Sequence, residues 1–217
     1  FAINDEFLVG AQYNGSSKGE RWYGKIASVV YIDGTAYDHS SFGETTAGIF
    51  EPINPGNLTF GNNGVHLKFD DHNYLGKNSV HASPSSYVPV SVNFDGTYEF
   101  LTRGGAITGL SDGSAFTLSF WVRKTGGDGT QMVIFTDHAG HIQSQIHTNN
   151  KINIKGHTSG ASELIDMNST TEITADGRWH HVMFSTNTSS DTHHLYVDGV
   201  DAADKQNSTT GTIDLTQ

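Results

Sequence analysis

The run Phe116-Thr-Leu-Ser-Phe-Trp-Val-Arg123 constrains the fold most, because its alternation suits an extended strand and no helix. Phe116, Leu118, Phe120 and Val122 fall on one face, and Thr117, Ser119, Trp121 and Arg123 on the other, since successive strand side chains point to opposite sides. A second stretch, Asp176-Gly-Arg-Trp-His-His-Val-Met-Phe184, is followed by His194-Leu-Tyr-Val-Asp-Gly199. Two strand-like runs around a polar turn, the second closed by Asp-Gly, describe an antiparallel hairpin.

Composition agrees with strands and turns. The chain has 217 residues, 35% apolar and 11% aromatic, which suits one large sandwich or two small domains. Its 25 glycines, with abundant Ser, Thr and Asn, provide the reversals that a strand protein needs. No apolar run approaches the roughly 20 residues of a membrane-spanning helix. The first residues lack the basic and small-residue ends of a signal peptide. The expectation is a soluble piece of something longer, without membrane insertion. Against 12 Lys and Arg stand 23 Asp and Glu, a formal charge of −11, which repels phosphate backbones and makes nucleic acid a poor partner. The absence of cysteine excludes disulfides, thiolate zinc sites and a cysteine nucleophile. Five glycosylation-type sequons begin at Asn14, Asn57, Asn168, Asn187 and Asn207, a number that a chain this rich in Asn, Ser and Thr generates by chance.

The hairpin of residues 176–199 and the strand at 116–123 together resemble a laminin-G-like module of the concanavalin-A-like sandwich class. The resemblance implies an all-β, antiparallel two-sheet jelly roll, with Trp179 in the core and one imidazole of His180-His181 against the neighbouring strand. A second resemblance covers Phe7-Leu-Val-Gly-Ala11, Tyr23-Gly-Lys-Ile-Ala-Ser-Val-Val-Tyr-Ile-Asp-Gly34, Phe42-Gly-Glu44 and Asn62-Asn-Gly-Val-His-Leu-Lys-Phe-Asp70. These are similar to the closing part of laminin-G-like modules in bacteriophage virion and tail proteins. In that family the segment follows the hairpin, whereas here it precedes it, so the order is rotated.

Two organisations fit. Residues 1–80 are the closing strands of one module, 81–91 a Pro- and Ser-containing connector, and 92–217 the opening and central strands of the next. Alternatively, residues 1–217 form one circularly permuted sandwich. A half-module alone would bare an unpaired sheet edge, and the termini of a domain often lie close enough together to permit permutation.

Chemistry-bearing residues are sparse. A retaining glycosidase needs two carboxylates about 5 to 5.5 Å apart, which on one strand suits a Glu-X-Asp-X-X-Glu pattern. Glu163-Leu-Ile-Asp-Met-Asn168 has other spacing and ends in an amide. His180-His181 and His193-His194 cannot each close on one ion, since adjacent strand residues diverge. Asp137, His138 and His141 in a turn around Gly140 could ligate a transition metal. Trp121 and Arg123 share a face and offer a stacking platform, unless a loop covers it. Candidate ligand-binding residues are therefore Trp121, Arg123, Asp137 and His138. The laminin-G-like resemblance implies calcium at a rim, for which Asp95, Asp112, Asp128 and Asp137 are candidate ligands; the competing reading is that they cap turns. The Asp33-Gly34 and Asp198-Gly199 pairs read as hairpin turns.

The reading reached is a non-catalytic structural or adhesion segment of a phage or phage-like virion protein, at the virion surface or outside the cell. Its expected partners are other virion subunits, copies of itself, or host-surface glycans. The alternative is a calcium-assisted carbohydrate-binding module of a secreted bacterial protein.

Overall fold

The computed structural model describes residues 8–13, 18–61, 64–70, 75, 79, 91–97, 99–102, 112–137 and 140–214. Its strands, in chain order, begin with β1 (Leu8–Val9), β2 (Gln12–Tyr13), β3 (Lys18–Gly19), β4 (Tyr23–Asp33), β5 (Gly43–Thr46) and β6 (Ile49–Pro52). Then come β7 (Val65–Leu67), β8 (Ser91–Asp95), β9 (Leu101–Thr102), β10 (Ala115–Lys124), β11 (Met132–Thr136) and β12 (Ile142–Ile146). The last six are β13 (Lys151–His157), β14 (Glu163–Glu172), β15 (His180–Asn187), β16 (Thr192–Val197), β17 (Val200–Asp201) and β18 (Ala203–Ser208). Among the described residues no helix is long and apolar enough to cross a membrane.

Two antiparallel sheets face each other as a sandwich. The first runs β18-β14-β13-β12-β11-β1-β9, and the second β17-β16-β15-β10-β4-β7, with β8 also paired to β4. Alternation dictates the packing. Phe116, Leu118, Phe120 and Val122 of β10 join Val182, Phe184, Leu195 and Val197 of β15 and β16 in one core cluster. From the opposite sheet, Ile142, Ile146, Ile152, Ile154, Ile165 and Met167 enter the same cluster. Each such aliphatic side chain contributes about 1.5–3 kcal/mol when fully buried.

Strands from both ends of the sequence interleave. β1 lies between β9 and β11, and β4 pairs with β10 along one edge. On its other edge β4 meets β8 through Tyr23–Ala27 and β7 through Val29–Tyr31. A bulge at Ser28, whose φ is 50°, separates the two stretches; one extra residue there shifts the register and bends the strand.

The outer face of the second sheet is not open. Val30, Ile32 and Met183 form a smaller cluster with Phe42 and Phe60, flanked by Tyr37, Leu58 and Tyr196. The segment from Thr35 to Phe60 thus lies over this sheet. Thr117 Oγ1 ties it down, accepting from the Tyr37 backbone N–H at 3.0 Å and donating to the Thr35 carbonyl at 2.7 Å.

Two sequence expectations need correction here. Trp179 is 36% exposed rather than core, because the β10–β15 ladder ends at the pair Val122–His180 and Trp179 lies just beyond it. Trp22, fully buried, is the tryptophan of the core. Asp33-Gly34 ends β4 but turns into the covering segment, with Asp33 N–H bonded to Phe60 O, and makes no hairpin. Asp198-Gly199 does close a hairpin, between β16 and β17; both residues have positive φ, 53° and 76°, the backbone of a type I′ turn. Positions 81–90 of the expected connector lie outside the described residues.

Candidate functional site

The outer face of the first sheet differs sharply from that of the second. Residues paired across strands share a face, so the register lines up two polar rows. One row is Thr136, Gln143, Lys155, Asp166 and Asn207; the next is Val133, Gln145, Asn153, Asn168 and Asp204. Their neighbours along each strand, such as Ile142, Ile154 and Met167, point into the core.

Hydrogen bonds run almost without a break across these rows. Gln131 Nε2 donates to Gln145 Oε1 at 2.8 Å, and Gln145 Nε2 donates to Asn153 Oδ1 at 2.8 Å. Asn153 Nδ2 in turn donates to Asp166 Oδ1 at 2.6 Å and to Asn168 Oδ1 at 3.1 Å. Lys155 Nζ bridges Glu163 Oε2 at 3.0 Å and Asp166 Oδ2 at 3.2 Å, and Asn207 Nδ2 reaches Glu163 Oε1 at 3.1 Å. Gln143, Gln145 and Asn153 are buried as a floor, and Gln143 Nε2 has no hydrogen-bond partner among the described residues. Above them Lys155, Glu163, Asp166, Asn168 and Asn207 remain partly exposed.

The charges on this face are mutually engaged. Lys155 holds the Glu163 carboxyl below its usual range, against a smaller opposing effect of burial. Burial works against the Lys155 ammonium, but the bonds from Glu163 and Asp166 outweigh it and raise its pKa. A carboxyl kept ionised suits the nucleophile or base of glycoside cleavage and not its proton donor. What the face can do chemically is offer fixed amide donors and acceptors, the complement of hydroxyl groups that both donate and accept.

The residues singled out from sequence lie elsewhere. Trp121 is on the outer face of the second sheet, as alternation requires, but it is only 7% exposed. Phe50 of the β5–β6 hairpin stacks on it at 5.9 Å, so the ring offers no open platform. Arg123 on the same face is half-buried. His181 lies beside Trp121, with its Nε2 2.9 Å from Ser119 Oγ, and burial drives its pKa down to about 3. This is the imidazole against a neighbouring strand; His180 turns instead to Asp198 Oδ2 at 2.8 Å, the main cause of its raised pKa.

The four aspartates do not form an oxygen cage. Asp95 Oδ1 accepts from Thr97 N–H at 2.7 Å. Asp128 pairs with the fully buried Lys124 at 2.6 Å and accepts from Ala175 N–H at 3.0 Å. Asp137 is buried, its Oδ1 accepting from Ile142 N–H at 3.1 Å and its Oδ2 3.4 Å from His141 Nδ1. Asp112 and Asp137 both lie close enough to His141 to raise its pKa, with the Asp137 bond the largest cause. Among the described residues no three His, Asp or Glu side chains are grouped to hold one metal ion. His138 lies outside the described residues.

The amide rows were overlooked in the sequence although a signal existed. Gln143, Gln145, Asn153 and Lys155 alternate with isoleucines in two neighbouring strands, a polar face richer in amides than solvent exposure alone asks for.

A β-sandwich with one covered outer face and one face of ordered amides defines the class. Residues 95–217 match the laminin-G-type family model described as the concanavalin A-like lectin/glucanases superfamily, and the chain belongs to that superfamily. No curated protein and no solved structure matches the chain.

Proposed function

We propose that this chain is a non-catalytic adhesion segment that contacts glycans through the outer face of β12, β13, β14 and β18. The observation that carries this is the contrast between the two outer faces. One carries an apolar cluster and is covered by residues 35–60, while the other presents amides already oriented by one another. A lectin or glucanase fold makes carbohydrate the natural ligand class. Preorganised polar groups lose little freedom on binding, which favours weak but specific contact with hydroxyls.

The absence of catalysis is part of the same reading. Its support is the Lys155 clamp on Glu163 and Asp166, which leaves Glu163 without a proton to give.

A setting at a virion surface or otherwise outside the cell is likewise a proposal, as is self-association or contact with other virion subunits. It draws on the resemblance of residues 7–11, 23–34, 42–44 and 62–70 to phage modules. The reading also takes the chain as one permuted sandwich, supported by the pairing of β4 with β8 and β10 and of β1 with β9 and β11.

The test is a glycan array probed with the chain, with and without chelator, alongside an N168A/N207A variant. Binding that survives chelation and is lost in the folded variant is the expected result. Failure to bind any glycan, or binding unaffected by the variant, overturns the assignment; loss on chelation favours the calcium-assisted alternative.

A further inference from the structure

We propose that Lys155, Glu163 and Asp166 make this face selective for uncharged glycans and exclude those bearing carboxylate or sulfate groups. The inference rests on the glycan reading above. Recognition of an acidic sugar needs a cation free to pair with it, by preference a guanidinium or an ammonium. The ammonium within the rows, Lys155 Nζ, is already bonded to two carboxylates, at 3.0 and 3.2 Å. Two negative charges against one positive leave the group with a surplus carboxylate, and Asp204 adds another at the edge of the second row.

Of the nearby lysines, Lys205 Nζ is held by both Asp191 oxygens at 3.2 Å, and Lys151, at the start of β13, is registered opposite the acidic Glu172. A ligand carboxylate or sulfate laid over Asn168 and Asn207 would therefore meet repulsion at short range. The chain's formal charge of −11 adds to this at distances inside a Debye length. Uncharged hydroxyl-rich chains meet only the amides.

The experiment uses matched probes: a panel of neutral oligosaccharides and their sulfated or carboxylated derivatives, measured by calorimetry or microscale binding. The wild type should bind the acidic member of each pair at least about tenfold more weakly than the neutral one, a gap that narrows in high salt. The double variant E163Q/D166N retains oxygen acceptors but frees the ammonium. Its acidic-to-neutral affinity ratio should rise about tenfold or more over that of the wild type, whatever the change in neutral affinity. Should that variant not fold, E163Q alone should show a smaller gain in the same direction. Acidic and neutral probes bound equally by the wild type, or no gain in a folded variant, would overturn the selectivity while leaving the glycan site intact. Binding of neither kind of probe would instead overturn the glycan reading.

Discussion

Asn153 is the node of the amide network, so its replacement tests whether the network is a built device or a coincidence of surface side chains. It accepts from Gln145 and donates to Asp166 and Asn168 while 98% buried, with 2% of its surface exposed. In N153A one bond to a charged acceptor is lost, at about 1.5–3 kcal/mol, with neutral bonds to Gln145 and Asn168 at about 0.5–1.5 kcal/mol each and a longer one to the Met167 carbonyl. Gln145 keeps His147 and Asp166 keeps Lys155, and water can enter from the rim, so the net loss should be about 2–3 kcal/mol. N153D is nearly isosteric but sets a carboxylate against Asp166. Like charges about 4 Å apart repel by on the order of 4 kcal/mol at an effective dielectric of 20, and Lys155 recovers only part of that.

The sign with pH follows. Repulsion raises the folded-state pKa of the new carboxyl pair above its unfolded value, so stability relative to wild type is lowest near neutrality and returns as pH falls toward about 4. Urea unfolding at pH 7 and pH 4, read as the difference from wild type at each pH, measures both effects. N153D as stable as wild type at pH 7, or a deficit that does not shrink in acid, would refute the reasoning.

Further expectations concern the rest of the fold. W22A should cost about 3–5 kcal/mol by thermal or chemical unfolding, whereas W179A should cost less than about 1 kcal/mol, since only Trp22 fills the core. The reverse order would contradict the assignment. His66 and His181 are held down to about 4 and about 3 by burial, so they fold neutral and must gain a proton in the unfolded chain below its ordinary range. Their stabilising effect is complete above about pH 6.5 and falls by about 2 kcal/mol for each histidine by pH 5; H181Q should flatten that slope in a pH series of unfolding midpoints. F50A should uncover Trp121, shifting its fluorescence to the red and increasing acrylamide quenching, with no change expected if the hairpin did not cover the ring.

Much of the architecture was legible because burial writes itself into alternation. Phe116 to Arg123 announces both an inward face and an outward one, and Val182 to Val197 a hairpin, from residue types alone. Trp179 misled because a large aromatic at a strand end carries no sign of whether the ladder reaches it; β10 and β15 part at His180. The site was harder to read. Glu163, Asp166 and Asn168 have the wrong spacing on paper, yet the register shift between Gly156 and His157 brings Glu163 beside Lys155. Such bulges, and the pairing of β12 with β13 and β14 that turns scattered Gln and Asn into rows, come from backbone register that no local pattern specifies. Alternation puts Trp121 on the correct face, but its cover comes from Phe50, distant in sequence, which no local pattern brings onto that ring.

The claim that the polar face is the contact surface is tested most directly by amide hydrogen exchange of the whole chain with and without a bound oligosaccharide. Slowed exchange confined to peptides spanning 142–157, 163–172 and 203–208 is the expected footprint. Protection confined instead to 39–52 and 179–201, with the amide strands unchanged, would contradict it.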